Sequence, residues 1–124
     1  MKLLIAAFAA AATFGTAATA AAPGQSLPAG DCILMQDVRN HTVVDQNTML
    51  LDVFRKGVYR VTTAQACFRS AVSADPIRFD TRGREKICKA EQLGLSARSG
   101  WCGAQSIVKL TPEEVAALPR KLKP

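Results

Sequence analysis

From Cys32 onward the chain is built of short apolar runs separated by polar breaks, the rhythm of a small β-protein. Cys32–Val38 is mostly apolar, and Arg39-Asn40-His41-Thr42 is expected to break it. Apolar character resumes over 43–54. Arg55-Lys56-Gly57 then reads as a tight turn, because glycine takes a positive φ without strain. Val58–Thr63 alternates, with Tyr59, Val61 and Thr63 on one face and Val58, Arg60 and Thr62 on the other. The runs either side of Gly57 make the best-marked hairpin.

Further along, Ala64–Asp75 reads as a short helical turn or an irregular loop pinned by Cys67, and Pro76 bars a helix from running up to it. Ile77-Arg78-Phe79 is a short strand and Asp80–Arg84 a turn. Glu85–Ser96 is extended with an interruption near Lys89-Ala90-Glu91. Ala97–Gly100 is a turn, and Trp101–Leu110 is the last long strand. Thr111-Pro112-Glu113-Glu114 has the marks of a helix start: a capping hydroxyl, proline at the first helical position and glutamate at the third. Pro119 ends that helix, predicted over 112–118. The fold class is all-β: a small antiparallel barrel or sandwich of about six strands with a short C-terminal helix over one open end or edge. No internal repeat is visible.

The first residues follow a different rule. Met1-Lys2 precedes an uncharged run from Leu3 to Gly15 and then only small residues from Thr16 to Ala22. A positive end, about a dozen apolar residues and an A-x-A exit make up a secretory signal peptide. The run falls short of the about 20 residues a membrane span needs. Ala18-Thr19-Ala20 fits cleavage best, giving a leader over 1–20, a flexible lead-in over 21–30 and one disulfide-stapled domain over 31–124. Lipid anchoring needs a cysteine directly after the leader. The first, Cys32, follows Asp31, so no stable membrane anchor is expected. The product is read as periplasmic or secreted.

At 124 residues, with 48% hydrophobic and 21% charged positions, the chain has room for one domain and is too apolar to be disordered. The composition excludes a multidomain enzyme, a coiled coil and a polytopic membrane protein. Aromatics are only 6%, which leaves little for stacking platforms.

Four cysteines, Cys32, Cys67, Cys88 and Cys102, all lie beyond the leader. An even number in a short exported chain implies a disulfide framework, here with three possible pairings. Cys67–Cys88 with Cys32–Cys102 is favoured, the first closing the loop over the middle of the chain and the second tying the first strand to the last. Two bridges at about 2–4 kcal/mol each weigh heavily against a total stability of about 5–15 kcal/mol. No C-x-x-C pair is present, which counts against a thioredoxin-like site or a zinc ribbon. No metal and no cofactor is expected.

Several short motifs occur in order: Cys32-Ile33, the Val43–Leu51 segment, Tyr59-Arg60-Val61 leading to Cys67, Ile87-Cys88, and Cys102–Leu118 ending in L-T-P-E-E-V-A-A-L. In this the chain resembles a family of small exported proteobacterial proteins classed only as a domain of unknown function. The resemblance covers most of the chain beyond the leader. It implies an exported, cysteine-bearing, β-rich domain and supplies no catalytic residue. Lys89-Ala90-Glu91 departs from it, since a Gly-Asp type of turn is expected after Cys88.

Candidate chemistry is sparse. His41 is the only histidine, placed by the pattern in a solvated turn. A Cys–His nucleophile would need a reduced thiol of low pKa, which an oxidising compartment opposes. Asp37, Asp45, Asp52, Asp80, Glu85 and Glu91 offer carboxylates that a hydrolase could pair across strands. Nothing in their spacing requires this. No phosphate-binding glycine loop or nucleophile elbow occurs.

Charge is the more informative signal. Sixteen Lys and Arg stand against ten Asp and Glu, a formal net charge of +6, and the leader carries only Lys2 of it. Arg78, Arg82, Arg84, Lys86 and Lys89 face only Asp80 and Glu85 in the same stretch. If 43–54, 58–63 and 77–81 run up, down and up, Arg55 and Lys56 share an end with Arg82 and Arg84. These four form the expected anion-binding rim. The partner would be an envelope protein or an anionic polymer. Nucleic acid is not expected, because the compartment is wrong and no aromatic is interleaved with the charges.

The function expected from sequence is a non-catalytic exported binding or envelope-associated module. An inhibitor-like module presenting one rigid loop to an exported enzyme is a second form of it. A small carboxylate hydrolase and a purely structural envelope protein are the alternatives of other classes.

Overall fold

The computed structural model describes residues 26–71 and 75–124. Eight strands alternate with short turns: β1 (Ile33–Leu34), β2 (Val38–Asp45), β3 (Thr48–Val53), β4 (Gly57–Thr63), β5 (Arg78–Asp80), β6 (Lys86–Ile87), β7 (Gly94–Ala97) and β8 (Gly100–Lys109). One helix, α1 (Pro112–Ala117), follows. Six strands form an antiparallel curled sheet, a half-barrel in the order β2-β3-β4-β8-β7-β5, and β1 pairs with β6 as a second small sheet.

The hairpins arise where the chemistry of the turns allows them. Between β3 and β4, Arg55 and Gly57 take positive φ (61° and 107°), and Lys56 N–H donates to the Val53 carbonyl at 3.1 Å. Between β2 and β3, the Asp45 carboxylate accepts from Asn47 N–H at 2.8 Å. The Asn47 amide in turn donates to the carbonyls of Thr63 and Gln65, tying this turn to the far end of β4.

The sheet has two apolar faces. The concave face buries Met49, Leu51, Val53, Tyr59, Val61, Leu95 and Ile107, closed over by Ile33 and Ile87 from the small sheet and by Leu27 and Phe68 from loops. On the convex face Leu50, Val58 and Leu110 are covered by Val115 and Leu118. The helix therefore lies over the β2–β3–β4 half of that face, and its start is as expected: the Thr111 hydroxyl accepts from Glu114 N–H at 3.2 Å.

Three sequence expectations are corrected. Arg39–Thr42 is not a break, because β2 runs through it, and the Cys32–Val38 run is interrupted earlier, by a turn of 3-10 helix over Met35–Asp37. β2 is an edge strand, where polar side chains are tolerated, and a register shift at Arg39 accommodates them. The flexible lead-in does not extend over 26–30. Ser26 bridges to Lys89, Leu27 N–H donates to the Cys88 carbonyl at 2.7 Å, and the Leu27 side chain is in the core. The leader and residues 21–25 lie outside the described residues.

The third correction concerns the disulfides. The bridges are Cys32–Cys88 and Cys67–Cys102, not Cys67–Cys88 and Cys32–Cys102. β1 and β6 pair Ile33 with Ile87 in antiparallel register, so Cys32 and Cys88 stand opposite each other one step further, with Cα atoms 4.5 Å apart. That is the spacing of a close cross-strand pair. Cys67 lies on the loop that doubles back after β4, where its carbonyl accepts from the Ser99 hydroxyl at the β7–β8 turn. This brings it beside Cys102 on β8.

Candidate functional site

The expected rim divides into two pairs with different surroundings. The strand directions are as anticipated, but β5 ends at Asp80, which is level through Gly94 with Gly103 of β8. The β3–β4 tip is level with Lys109, six residues and about 20 Å further along the same strand. At that tip the Arg55 guanidinium lies 4.9 Å from the Phe54 ring centre and the Arg39 guanidinium 3.7 Å from it. Lys56 donates its ammonium to the Gly30 carbonyl at 2.6 Å. These cations are already engaged with an aromatic face and a carbonyl.

Arg82 and Arg84 are placed otherwise. Asp80–Arg84 turns sharply: Arg84 N–H donates to the Thr81 carbonyl at 3.0 Å, with Arg82 and Gly83 both at positive φ (52° and 77°). These are type I′ values, and glycine at the second position is what such a turn favours. The Asp80 carboxylate accepts from Arg82 N–H at 3.0 Å and holds the turn closed. Opposite it, the chain after Cys88 makes one turn of 3-10 helix over Ala90–Gln92. The Gln92 side-chain oxygen accepts from both Cys88 N–H (2.8 Å) and Lys89 N–H (3.1 Å). Lys89-Ala90-Glu91 thus replaces the expected Gly-Asp turn by a capped helical one, and the Cys32 bridge anchors it.

Between these two walls lies a cavity of about 310 Å³ lined by Arg82, Arg84, Lys89, Glu91 and Gln92. Three cations face one carboxylate there. The ion pairs made by the described residues are Arg98–Asp75 (3.2 Å) and Lys109–Asp31 (3.1 Å), so none of these three cations has a carboxylate within ion-pair distance. Arg84 also lines a second cavity, of about 370 Å³, with Met35, Gln36 and Glu85.

Trp101 is a candidate that neither charge nor spacing in the sequence marks. It lies on β8 with its side chain 57% exposed, between the buried Cys102 and the Ala97–Gly100 turn. Its register partner is Ser96, yet the indole leans along the sheet to cover Gly94. A methyl group at Gly94 would lie 2.8 Å from Trp101 Nε1 and 3.1 Å from the Asp80 carbonyl oxygen. The indole is thus inclined toward the end of the sheet from which Arg82 leaves β5. Strand alternation was the available signal, since a residue preceding a buried half-cystine on a strand faces outward.

The remaining candidates are placed as follows. His41 is not in a solvated turn but on β2, half-buried, with Nε2 2.7 Å from the Asp75 carbonyl oxygen. Asp45 and Asp80 each cap their own turn. Glu85 and Glu91 line different cavities. Asp52 pairs in register with Asn40 and Val58, and the Asp37 carbonyl accepts from Phe54 N–H. Tyr59, buried in the concave core, donates its hydroxyl to the Asp31 carbonyl at 2.8 Å. Burial, with the Asp31 charge nearby, pushes its pKa up to about 12.

No helix among the described residues is long and apolar enough to cross a membrane, and they contain no cluster of metal-ligating side chains. Comparison with protein-family models, curated proteins and solved structures finds no match to this chain.

Proposed function

We propose that this chain is an exported, non-catalytic binding module whose Arg82–Arg84–Lys89 concavity receives an anionic group of an envelope component. The observation that carries the reading is the convergence on one cavity of three cations that make no ion pair among the described residues. Like charges held together repel, and an anion between them relieves that cost while gaining several charge-assisted hydrogen bonds. Both walls are held by backbone-directed hydrogen bonds, and one by a disulfide, so little ordering remains to be done on binding. Two disulfides suit a non-reducing compartment, which agrees with a leader cleaved after Ala20 and a periplasmic or secreted product. Arg55 and Lys56 act as a separate basic tip.

Calorimetry with pyrophosphate at low ionic strength tests this. Replacing Arg82, Arg84 and Lys89 together by Ala should weaken binding about tenfold or more and flatten its salt dependence. Affinity unchanged in that variant overturns the reading. Arg55→Ala with Lys56→Ala should leave pyrophosphate binding as it was.

A further inference from the structure

An exposed tryptophan on the outward face of β8 calls for an explanation that anion binding alone does not give. Trp101 is the only tryptophan in the chain and is more than half exposed. Its position is defined rather than loose, because the ring lies across Gly94, where a side chain has no room. Gly103, the register partner of Gly94 on the other side, has open space where a side chain would be. The helix covers the β2–β3–β4 half of the convex face, so this half is left with a flat aromatic surface bordered by glycine. From Gly94 the register leads directly to Asp80, and the Asp80 carboxylate holds Arg82. Aromatic surface and cationic cavity therefore both border the Asp80 end of β5.

We propose that Trp101 and the Arg82–Arg84–Lys89 cavity form a single bipartite site for an anionic saccharide. The sugar ring lies against the indole, and its phosphate or carboxylate substituent enters the cavity. An indole offers an apolar face to the C–H bonds of a sugar ring and an N–H to its hydroxyls, the combination that places tryptophan at half-polar interfaces. Glu91, the one carboxylate at the cavity, and the Gln92 amide suit the hydroxyls of a sugar rather than a second anion. A cluster of cations alone would bind any polyanion of sufficient charge. The indole adds a requirement for a ring, and so selects among anions. This inference rests on the anion-binding reading above.

The test uses three probes, inorganic phosphate, glucose 1-phosphate and glucuronate, titrated calorimetrically into the wild-type chain. The same titrations are run on Trp101→Leu and on the variant with Arg82, Arg84 and Lys89 all replaced by Ala. The wild type should bind at least one of the saccharides about five- to tenfold more tightly than phosphate. Binding should also change the fluorescence of Trp101, which is the chain's only tryptophan signal. Whichever saccharide is preferred identifies the anionic group. Trp101→Leu should lose that margin and keep phosphate binding, while the cation variant should lose both. Because the side chain is exposed, Trp101→Leu is expected to fold. An equal preference for saccharide over phosphate in Trp101→Leu and wild type overturns the inference and leaves anion binding standing. So does a wild type that binds phosphate as tightly as either saccharide. A wild type that binds none of the three overturns both.

Discussion

Cys32 and Cys88 face each other one step beyond the Ile33–Ile87 pair, so the bridge continues the β1–β6 ladder as a covalent rung. It closes a sequence separation of 56 residues, and Cys67–Cys102 closes 35. In the chain-entropy account that difference is worth only about 0.4 kcal/mol. What distinguishes the bridges is what each one holds. Cys88 is followed directly by Lys89, whereas Cys67 holds the loop after β4 against β8. Non-reducing digestion should yield peptides linking Cys32 to Cys88 and Cys67 to Cys102. Replacing either pair by Ala should cost about 2–5 kcal/mol in denaturant unfolding. Only the Cys32→Ala, Cys88→Ala variant should also weaken pyrophosphate binding.

Trp101 covers Gly94 so closely that a single methyl group is felt. In Gly94→Ala the indole can swing aside, but the Asp80 carbonyl, 3.1 Å from the new carbon, belongs to the backbone of β5 and cannot. The expected loss is about 1–3 kcal/mol. For a domain of this size that is a fall in Tm of some degrees, about 4–8 °C for each kcal/mol. Trp101→Ala in the same chain should recover only part of it. Thermal melts of the single and double variants measure both quantities. Full recovery would show that Asp80 takes no share of the clash.

How far these contacts were legible beforehand depended on whether the signal was local. The turns at Gly57 and Gly83, the strand over 100–109 and the cap at Thr111 each depend on a few neighbouring residues, and the sequence carries them. The disulfide pairing depends on which strands lie side by side. That β1 pairs with β6 is decided by packing of Ile33 and Ile87 over the concave core, and no spacing of cysteines reveals it. The same distinction applies to the basic residues. Arg82 and Arg84 were marked by charge, but their partner is Lys89 across the cavity and not Lys56 at the far tip. His41 misled because polar neighbours mark a turn in the interior of a sheet but are admissible along an edge strand.

The helix has only its cap and one apolar face to hold it. α1 spans six residues, too few to be stable in isolation, so its covering of Leu50 and Val58 depends on Val115, Leu118 and the Thr111 hydroxyl. Thr111→Ala should cost about 0.5–2 kcal/mol, and Thr111→Ser should restore most of it. Hydrogen exchange should show the amides of α1 opening more readily in Thr111→Ala, with β3 and β4 unaffected.

Tyr59 is the only tyrosine in the chain, so its ionisation can be followed by ultraviolet absorbance without interference from another phenol. In the fold its pKa rises from 10.0 to about 12, because burial disfavours the phenolate and the Asp31 charge opposes it. The unfolded chain therefore loses this proton at lower pH than the native one. The stability that accompanies the neutral phenol is complete below about pH 10 and is lost as pH rises from there through about 12. Its hydrogen bond to the Asp31 carbonyl is lost with the proton, since a phenolate cannot donate. Native absorbance titration should give a midpoint near 12, and titration in strong denaturant one near 10. Tyr59→Phe should be less stable than wild type at pH 8, through loss of the hydrogen bond, by about 0.5–1.5 kcal/mol. Above pH 10 the two should converge, because the substitution removes the ionisable group. Parallel curves of unfolding free energy against pH for the two chains would refute the assignment of that alkaline loss to Tyr59.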